Sequence, residues 1–160
     1  MDLSKAFDTI NIDILLQKLC HYGIRGIVNK WFESYLKGRK QFVSINSCAS
    51  ENILDILHGV PQGSILGPLL FLIYINDFKN CLKFSEAFMF ADDTTLLFKE
   101  KCLDSLKVKI NSDLSSAADW LAENKLSLNV KKKQILCFLI NQNQTYWILK
   151  LVFLMKKLIE

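Results

Sequence analysis

At 160 residues the chain is long enough for one domain with a real core, and its 51% hydrophobic content and mean hydropathy of +0.19 are high for a free-standing soluble domain. That excess implies either a large partner surface or a piece of a larger protein whose cut faces are apolar, and the second fits the rest of the chain better. The net charge of +4 permits nucleic-acid binding without announcing it.

Five scattered cysteines (Cys20, Cys48, Cys81, Cys102 and Cys137), with no CxxC pair, argue against a disulfide framework or a zinc site. They suit a reducing interior, cytoplasm or nucleus. Asp2, Lys5 and Asp8 interrupt the apolar residues at the N-terminus, so no secretory signal is expected there. No repeat or low-complexity linker divides the chain, and one domain is the default expectation.

Taken in order, Ile14, Leu15, Leu19 and Tyr22 share one helical face, with Gly23 as a C-terminal stop. A second helix carries Ile27, Val28, Trp31, Phe32, Tyr35 and Leu36 on one stripe, with Gly38 beyond it. Residues 41–45 and 53–57 read as two strands joined by the polar stretch 46–50. The segment 58–68, punctuated by Gly and Pro, leads into an apolar helix ending near Asp77. Its run 65–75 is the longest apolar one, too short to cross a bilayer, and reads as a buried helix; no membrane association is expected.

Residues 87–90 and 94–98 are short apolar runs separated by Ala91, Asp92 and Asp93, which predicts a hairpin with acids at its turn. The clearest helix spans 103–121, where Leu103, Leu106, Ile110, Leu114, Ala117 and Leu121 step by three and four. Asp104, Asp113 and Asp119 fall mostly opposite that stripe. A last strand is expected over 134–140. Helices interleaved with hairpins make the class α+β with an antiparallel sheet.

Two adjacent carboxylates repel each other, and a turn flanked by Phe, Met and Leu is a costly place for Asp92 and Asp93. A divalent cation is the natural compensation; a solvated turn is the bland alternative. The basic clusters Lys37, Arg39, Lys40 and Lys131, Lys132, Lys133 allow nucleic-acid binding, but composition alone favours reading them as solvated faces.

The order of the motifs decides between these readings. Phe90-Ala91-Asp92-Asp93 resembles the Y/F-x-D-D signature of reverse transcriptases, and the segment from Asp2 to Asp8 resembles their first palm motif. His58-Gly59-Val60-Pro61-Gln62-Gly63-Ser64, running on to Pro68, is similar to the form found in non-LTR, LINE- or jockey-like retrotransposons. Tyr74-Ile75-Asn76-Asp77 and the stretch 31–41 continue that similarity, and 124–132 resembles the motif after the catalytic hairpin. The resemblance covers residues 1–138, and the tail 139–160 is divergent and left unassigned.

The resemblance implies an incomplete polymerase palm, an antiparallel sheet backed by helices with an RRM- or ferredoxin-like core. It implies an RNA-directed DNA polymerase that adds dNTPs to a DNA primer on an RNA template, using two Mg²⁺ ions that Mn²⁺ can replace. On the matching positions Asp2 and Asp92 would bridge the metals, Asp93 would be the third acid, and the Leu3 carbonyl would also ligate. Phe7 occupies the place of the aromatic gate under the nucleotide sugar, where a flat ring excludes a 2′-hydroxyl; otherwise it is one more core phenylalanine. Gln62 and Gly63 would contact the template or incoming nucleotide, and Lys132 would neutralise or protonate the leaving pyrophosphate, although Lys133 stands where the family has Thr. For Asp8 and His58 structural roles are expected.

The family's fingers would precede Asp2, and its primer grip and thumb would follow Phe138. The chain is therefore expected to be truncated at both ends, a decayed or frameshifted copy of a mobile element. The alternative to a polymerase fragment is then an inactive remnant with residual nucleic-acid binding. An unrelated palm enzyme, a cyclase or viral RNA polymerase, fits the Phe90–Asp93 and Gln62 blocks less well.

Overall fold

The computed structural model of the chain describes residues 6–46, 48–50, 53–91, 93–100 and 102–127. It divides into two compact units, Phe7–Tyr74 and a second made of Met1–Ala6 with Ile75–Glu160. The segment from Asp2 to Lys5, the expected strand 134–140, the second lysine cluster and the tail all lie outside the described residues.

In the unit Phe7–Tyr74, helix α1 (Ile12–His21) starts where the Asn11 side chain accepts a hydrogen bond from the Ile14 amide at 3.1 Å. It stops at Gly23, whose φ of +93° suits a glycine, and the Ile24 amide then closes back on the Leu19 carbonyl at 2.9 Å. Ile12, Leu15, Leu16 and Leu19 are its buried face. Tyr22, expected on that face, is exposed, because the helix has already ended and turned.

Helix α2 (Gly26–Leu36) is tied to α1 by the Asn29 amide, which donates to the carbonyls of Leu16 at 3.1 Å and Ile24 at 3.0 Å. Only Leu36 of its apolar stripe is buried; Ile27, Val28 and Trp31 face solvent, with Trp31 stacked on Tyr35 at 5.4 Å.

The two expected strands become two ladders instead. β1 (Arg39–Gln41) pairs antiparallel with β4 (Leu54–Ile56), and β2 (Ser44–Ile45) with β3 (Cys48–Ala49). Phe42 and Val43 separate β1 from β2, whereas four sequence positions separate β3 from β4, and unequal spacers of that size interrupt a continuous ladder. Helix α3 (Leu66–Ile75) follows, with Pro68 in its first turn, where the missing N–H costs nothing. It is buried as expected along Leu70, Phe71, Tyr74 and Ile75, while Leu69 and Leu72 are exposed. The end of α3 closes on α1: the Asn11 amide donates to the Tyr74 hydroxyl at 3.4 Å, and Lys18 Nζ donates to the Tyr74 carbonyl at 2.6 Å.

The other unit holds a 3₁₀ turn (Phe78–Cys81), the hairpin β5 (Glu86–Phe90) and β6 (Asp93–Leu97), and helix α4 (Leu103–Glu123). Thr94, Leu96 and Phe98 alternate inward from β6, and Leu106, Leu114, Ala117, Trp120 and Leu121 form the buried face of α4. Phe78 meets Trp120 edge-on at 5.1 Å.

Asp113 is a correction to the amphipathic reading of this helix, since it is fully buried rather than on the solvent side. Its carboxylate accepts from the amides of Lys83, Phe84 and Ser85 at 3.0, 3.0 and 2.8 Å, and from the Ser85 hydroxyl at 2.6 Å. A buried charge of this kind persists only when its lone pairs are filled, and here the loop before β5 fills them.

Antiparallel ladders and helices together agree with the α+β expectation. No helix among the described residues is long and apolar enough to cross a membrane.

Candidate functional site

The acidic hairpin is built by register. Phe90 pairs with Asp93, so the strands are joined by a tight connection that begins at Ala91. Such connections require positive φ, and Ala91 takes it at +50° without being glycine. A residue with a Cβ in that region costs about 1 kcal/mol, and the flanking ladder from Glu86↔Leu97 to Phe90↔Asp93 holds it there.

Asp93 opens β6 and is exposed, and its neighbour Phe90 is 85% exposed. The end of the hairpin is therefore solvated, so burial of Asp93 supplies no electrostatic demand for a cation. What remains is the chemistry of the donors. Asp2, Asp92, Asp93 and the Leu3 carbonyl are all hard oxygen ligands, which suit Mg²⁺ or Mn²⁺ and not a thiol- or imidazole-seeking metal. Of these only Asp93 lies within the described residues, among which no group of three or more His, Cys, Asp or Glu side chains is placed to hold a metal. Asp2, Leu3, Asp92 and Lys132 fall outside them.

The nucleotide-facing candidates Phe7, Gln62 and Gly63 belong to the unit Phe7–Tyr74. Phe7 is half-buried, with its ring 4.9 Å from that of Phe71 and tilted by 39°. Its carbonyl accepts from the Val60 amide at 2.9 Å, and the Ile10 carbonyl accepts from the Gly59 amide at 2.8 Å. These two bonds lay the 7–10 turn directly on the 58–60 backbone. Gly59 permits it: its φ is +82°, and a Cβ there would come within 2.8 Å of both Asp8 Cα and the Phe7 carbonyl oxygen. Gly63, also at positive φ (+77°), has open space around it, so the turn conformation alone calls for glycine.

Gln62 is exposed, and its Nε2 donates to Asp8 Oδ1 at 2.6 Å. Ser64 lies just before α3, its hydroxyl donating to the Pro61 carbonyl at 2.7 Å and accepting from the Gly67 amide at 3.0 Å. Beside the turn lies a cavity of about 660 Å³, lined by Asp8, Arg39, Gln41, Asp55, His58 and Gln62 among others.

The basic cluster next to this cavity is largely spent within the protein. Arg39 Nε donates to the Leu36 carbonyl at 2.9 Å, and its terminal nitrogen donates to the carbonyls of His58 and Gly59. Burial pushes the Arg39 guanidinium below its ordinary range. Lys37 bridges Asp13 at 2.9 Å and Glu33 at 3.0 Å, and its hydrogen bonds to these carboxylates raise its pKa. Lys40 stands 3.9 Å from Asp55 with both side chains exposed.

Sequence reasoning missed two participants. Arg39 works as a clasp for carbonyls, which its place among lysines concealed. Asp8 is the partner of Gln62, and a separation of 54 residues offered no local signal. Gly59 was legible in principle, as a glycine before Val60-Pro61 where the chain reverses.

The chain belongs to the reverse transcriptase (RNA-dependent DNA polymerase) family, which matches residues 1–153. Among curated proteins it is 26% identical over 149 residues to the probable RNA-directed DNA polymerase from transposon X-element of Drosophila melanogaster, covering 89% of this chain and 16% of that relative. It is 30% identical over 139 residues to the RNA-directed DNA polymerase from mobile element jockey of Drosophila funebris, covering 82% of this chain and 15% of the relative. The polymerase from the jockey element of Drosophila melanogaster is 29% identical over 147 residues, with 82% and 15% covered. The jockey-like resemblance of the motifs is thus confirmed, and the chain spans about 15–16% of the length of the curated relatives it matches.

Proposed function

We propose that this chain carries the palm portion of an RNA-directed DNA polymerase, extending a DNA primer on an RNA template with dNTPs. Its family membership carries the reading, together with an acidic hairpin whose described acid, Asp93, is presented to solvent. Asp2, Asp92 and Asp93, with the Leu3 carbonyl, would hold two Mg²⁺ ions, which when bound supply the charge neutralisation that phosphoryl transfer chiefly needs.

The chain's own groups do the positioning. The Phe7 ring, packed against Phe71, would offer a flat apolar surface to the nucleotide sugar and exclude a 2′-hydroxyl. Gln62 meets the template or incoming base with an amide that can donate and accept. Gly63 shapes the turn that brings the Gln62 backbone close. Lys132 places a positive charge, and an exchangeable proton, where pyrophosphate departs. Residues 1–138 form the working core on this reading, with fingers and thumb supplied by the rest of a larger polymerase.

Primer extension on an RNA template with Mg²⁺ and dNTPs tests it, with Asp92→Ala as the paired control. Extension by the unaltered chain should fall at least about a hundredfold in the control. No extension from a sample shown to be folded would overturn the polymerase reading for this chain and leave nucleic-acid binding as the alternative. In the same assay Phe7→Ala should admit ribonucleotides, and unchanged discrimination would remove Phe7 from the sugar gate.

A further inference from the structure

Asp8 contributes nothing to the metal set, yet it makes a 2.6 Å hydrogen bond to the side chain assigned to the nucleotide. An ionised carboxylate can only accept, so the bond dictates which end of the Gln62 amide faces Asp8. One N–H is committed there. Oε1 and the second N–H are left side by side for a ligand. Without such a partner the amide can turn over and exchange acceptor for donor, and a base edge would then meet the wrong group.

The backbone beneath makes this more than an encounter of two surface side chains. The Gly59–Ile10 and Val60–Phe7 hydrogen bonds, at 2.8 and 2.9 Å, clamp the segment before Gln62 onto the turn that contains Asp8. Contact at Gly59 is so close that no side chain fits between them. The same clamp carries Phe7, so the ring and the amide are fixed to one piece of backbone. The polar cavity of about 660 Å³ opens against both Asp8 and Gln62.

We propose that Asp8 is a positioning residue that sets the orientation of the Gln62 amide, so that Oε1 and one N–H are presented together to the nucleotide. What Gln62 touches rests on the polymerase reading above; the orientation rests on Asp8 alone.

Two measurements on the full chain keep these parts separate. In side-chain amide NMR spectra, with the Gln62 pair assigned by its loss in Gln62→Leu, Asp8→Leu should move the two Gln62 protons towards each other. Asp8→Asn, which keeps an acceptor oxygen, should leave them near their original positions. In primer extension, Asp8→Leu should raise the dNTP KM about tenfold while kcat stays within about twofold, as expected for a charge-assisted hydrogen bond. Asp8→Asn should restore most of that loss, and Asp8→Leu should cost nothing further in a Gln62→Leu background.

Gln62 protons indifferent to Asp8→Leu would overturn the proposal, as would an equal penalty with and without Gln62. If the unaltered chain extends no primer, the polymerase reading fails. The amide spectra then decide the Asp8–Gln62 orientation by themselves.

Discussion

Asp113 and Gly59 are the two side-chain positions at which a single change should tell most about the fold. Asp113 fills its lone pairs with three consecutive amides and a hydroxyl. Asp113→Ala leaves those donors buried without an acceptor and should destabilise the protein by about 3 kcal/mol or more in urea unfolding. Asp113→Asn keeps the volume and one acceptor oxygen, and about half that loss is expected. If the two substitutions cost the same, the charge and second acceptor oxygen of the carboxylate carry the whole effect and the volume it fills carries none. Gly59→Ala faces both a positive φ and a 2.8 Å approach to backbone, so a loss of more than about 1 kcal/mol is expected, with protection of the Gly59 and Val60 amides weakened in hydrogen exchange. Neither residue was legible as important from periodicity. A buried aspartate on a polar helix face looks like any other aspartate until the loop that serves it has been located.

The elements whose signal is local were read closely. The α4 stripe predicted 103–121 and the helix runs Leu103–Glu123; the expected hairpin is β5 and β6, with Asp93 as the first paired residue of β6 rather than in the turn. The strand expected over 53–57 is β4, whereas the one expected over 41–45 divides between β1 and β2, because strand pattern does not fix pairing register and the spacers on the two sides differ in length. At this scale the cysteines give a clean test. Cys20 and Cys102 are exposed, whereas Cys81 ends a 3₁₀ turn and its thiol donates to the Phe78 carbonyl at 2.9 Å. Burial raises the Cys81 thiol above its ordinary range, so less thiolate is present at any given pH and its alkylation should lag behind that of Cys20 and Cys102. Equal rates would mean that this turn opens readily. The Lys37 bridge between α1 and the end of α2 has the opposite dependence on base. Its raised pKa makes its contribution complete at neutral pH and lost only as pH climbs past the ordinary lysine range, so Lys37→Met should alter thermal stability at neutral pH and not at strongly alkaline pH.

Across the whole molecule the apolar excess read from composition reappears as exposed side chains, with Ile65 at 95% and Ile27 at 84% exposure. Surfaces of that kind should bind a hydrophobic dye and drive concentration-dependent association in sedimentation, and a strictly monomeric, dye-silent chain would show that they are too dispersed to act as a patch. Family and motif order were visible in the sequence because catalytic positions tolerate few residue types. Arg39, which looked like one cation among three, was not visible in the same way, since its use depends on carbonyls brought near by folding. Its clasp changes how the protein should look to a polyanion. Three phosphate contacts from Lys37, Arg39 and Lys40 would steepen the dependence of log affinity on log salt by about 2.7 through counterion release. With Arg39 committed to carbonyls and Lys37 to two carboxylates, only Lys40 remains loosely held, and a contribution nearer to about 1 is expected. To a nucleic acid, this face offers one readily released cationic side chain rather than three.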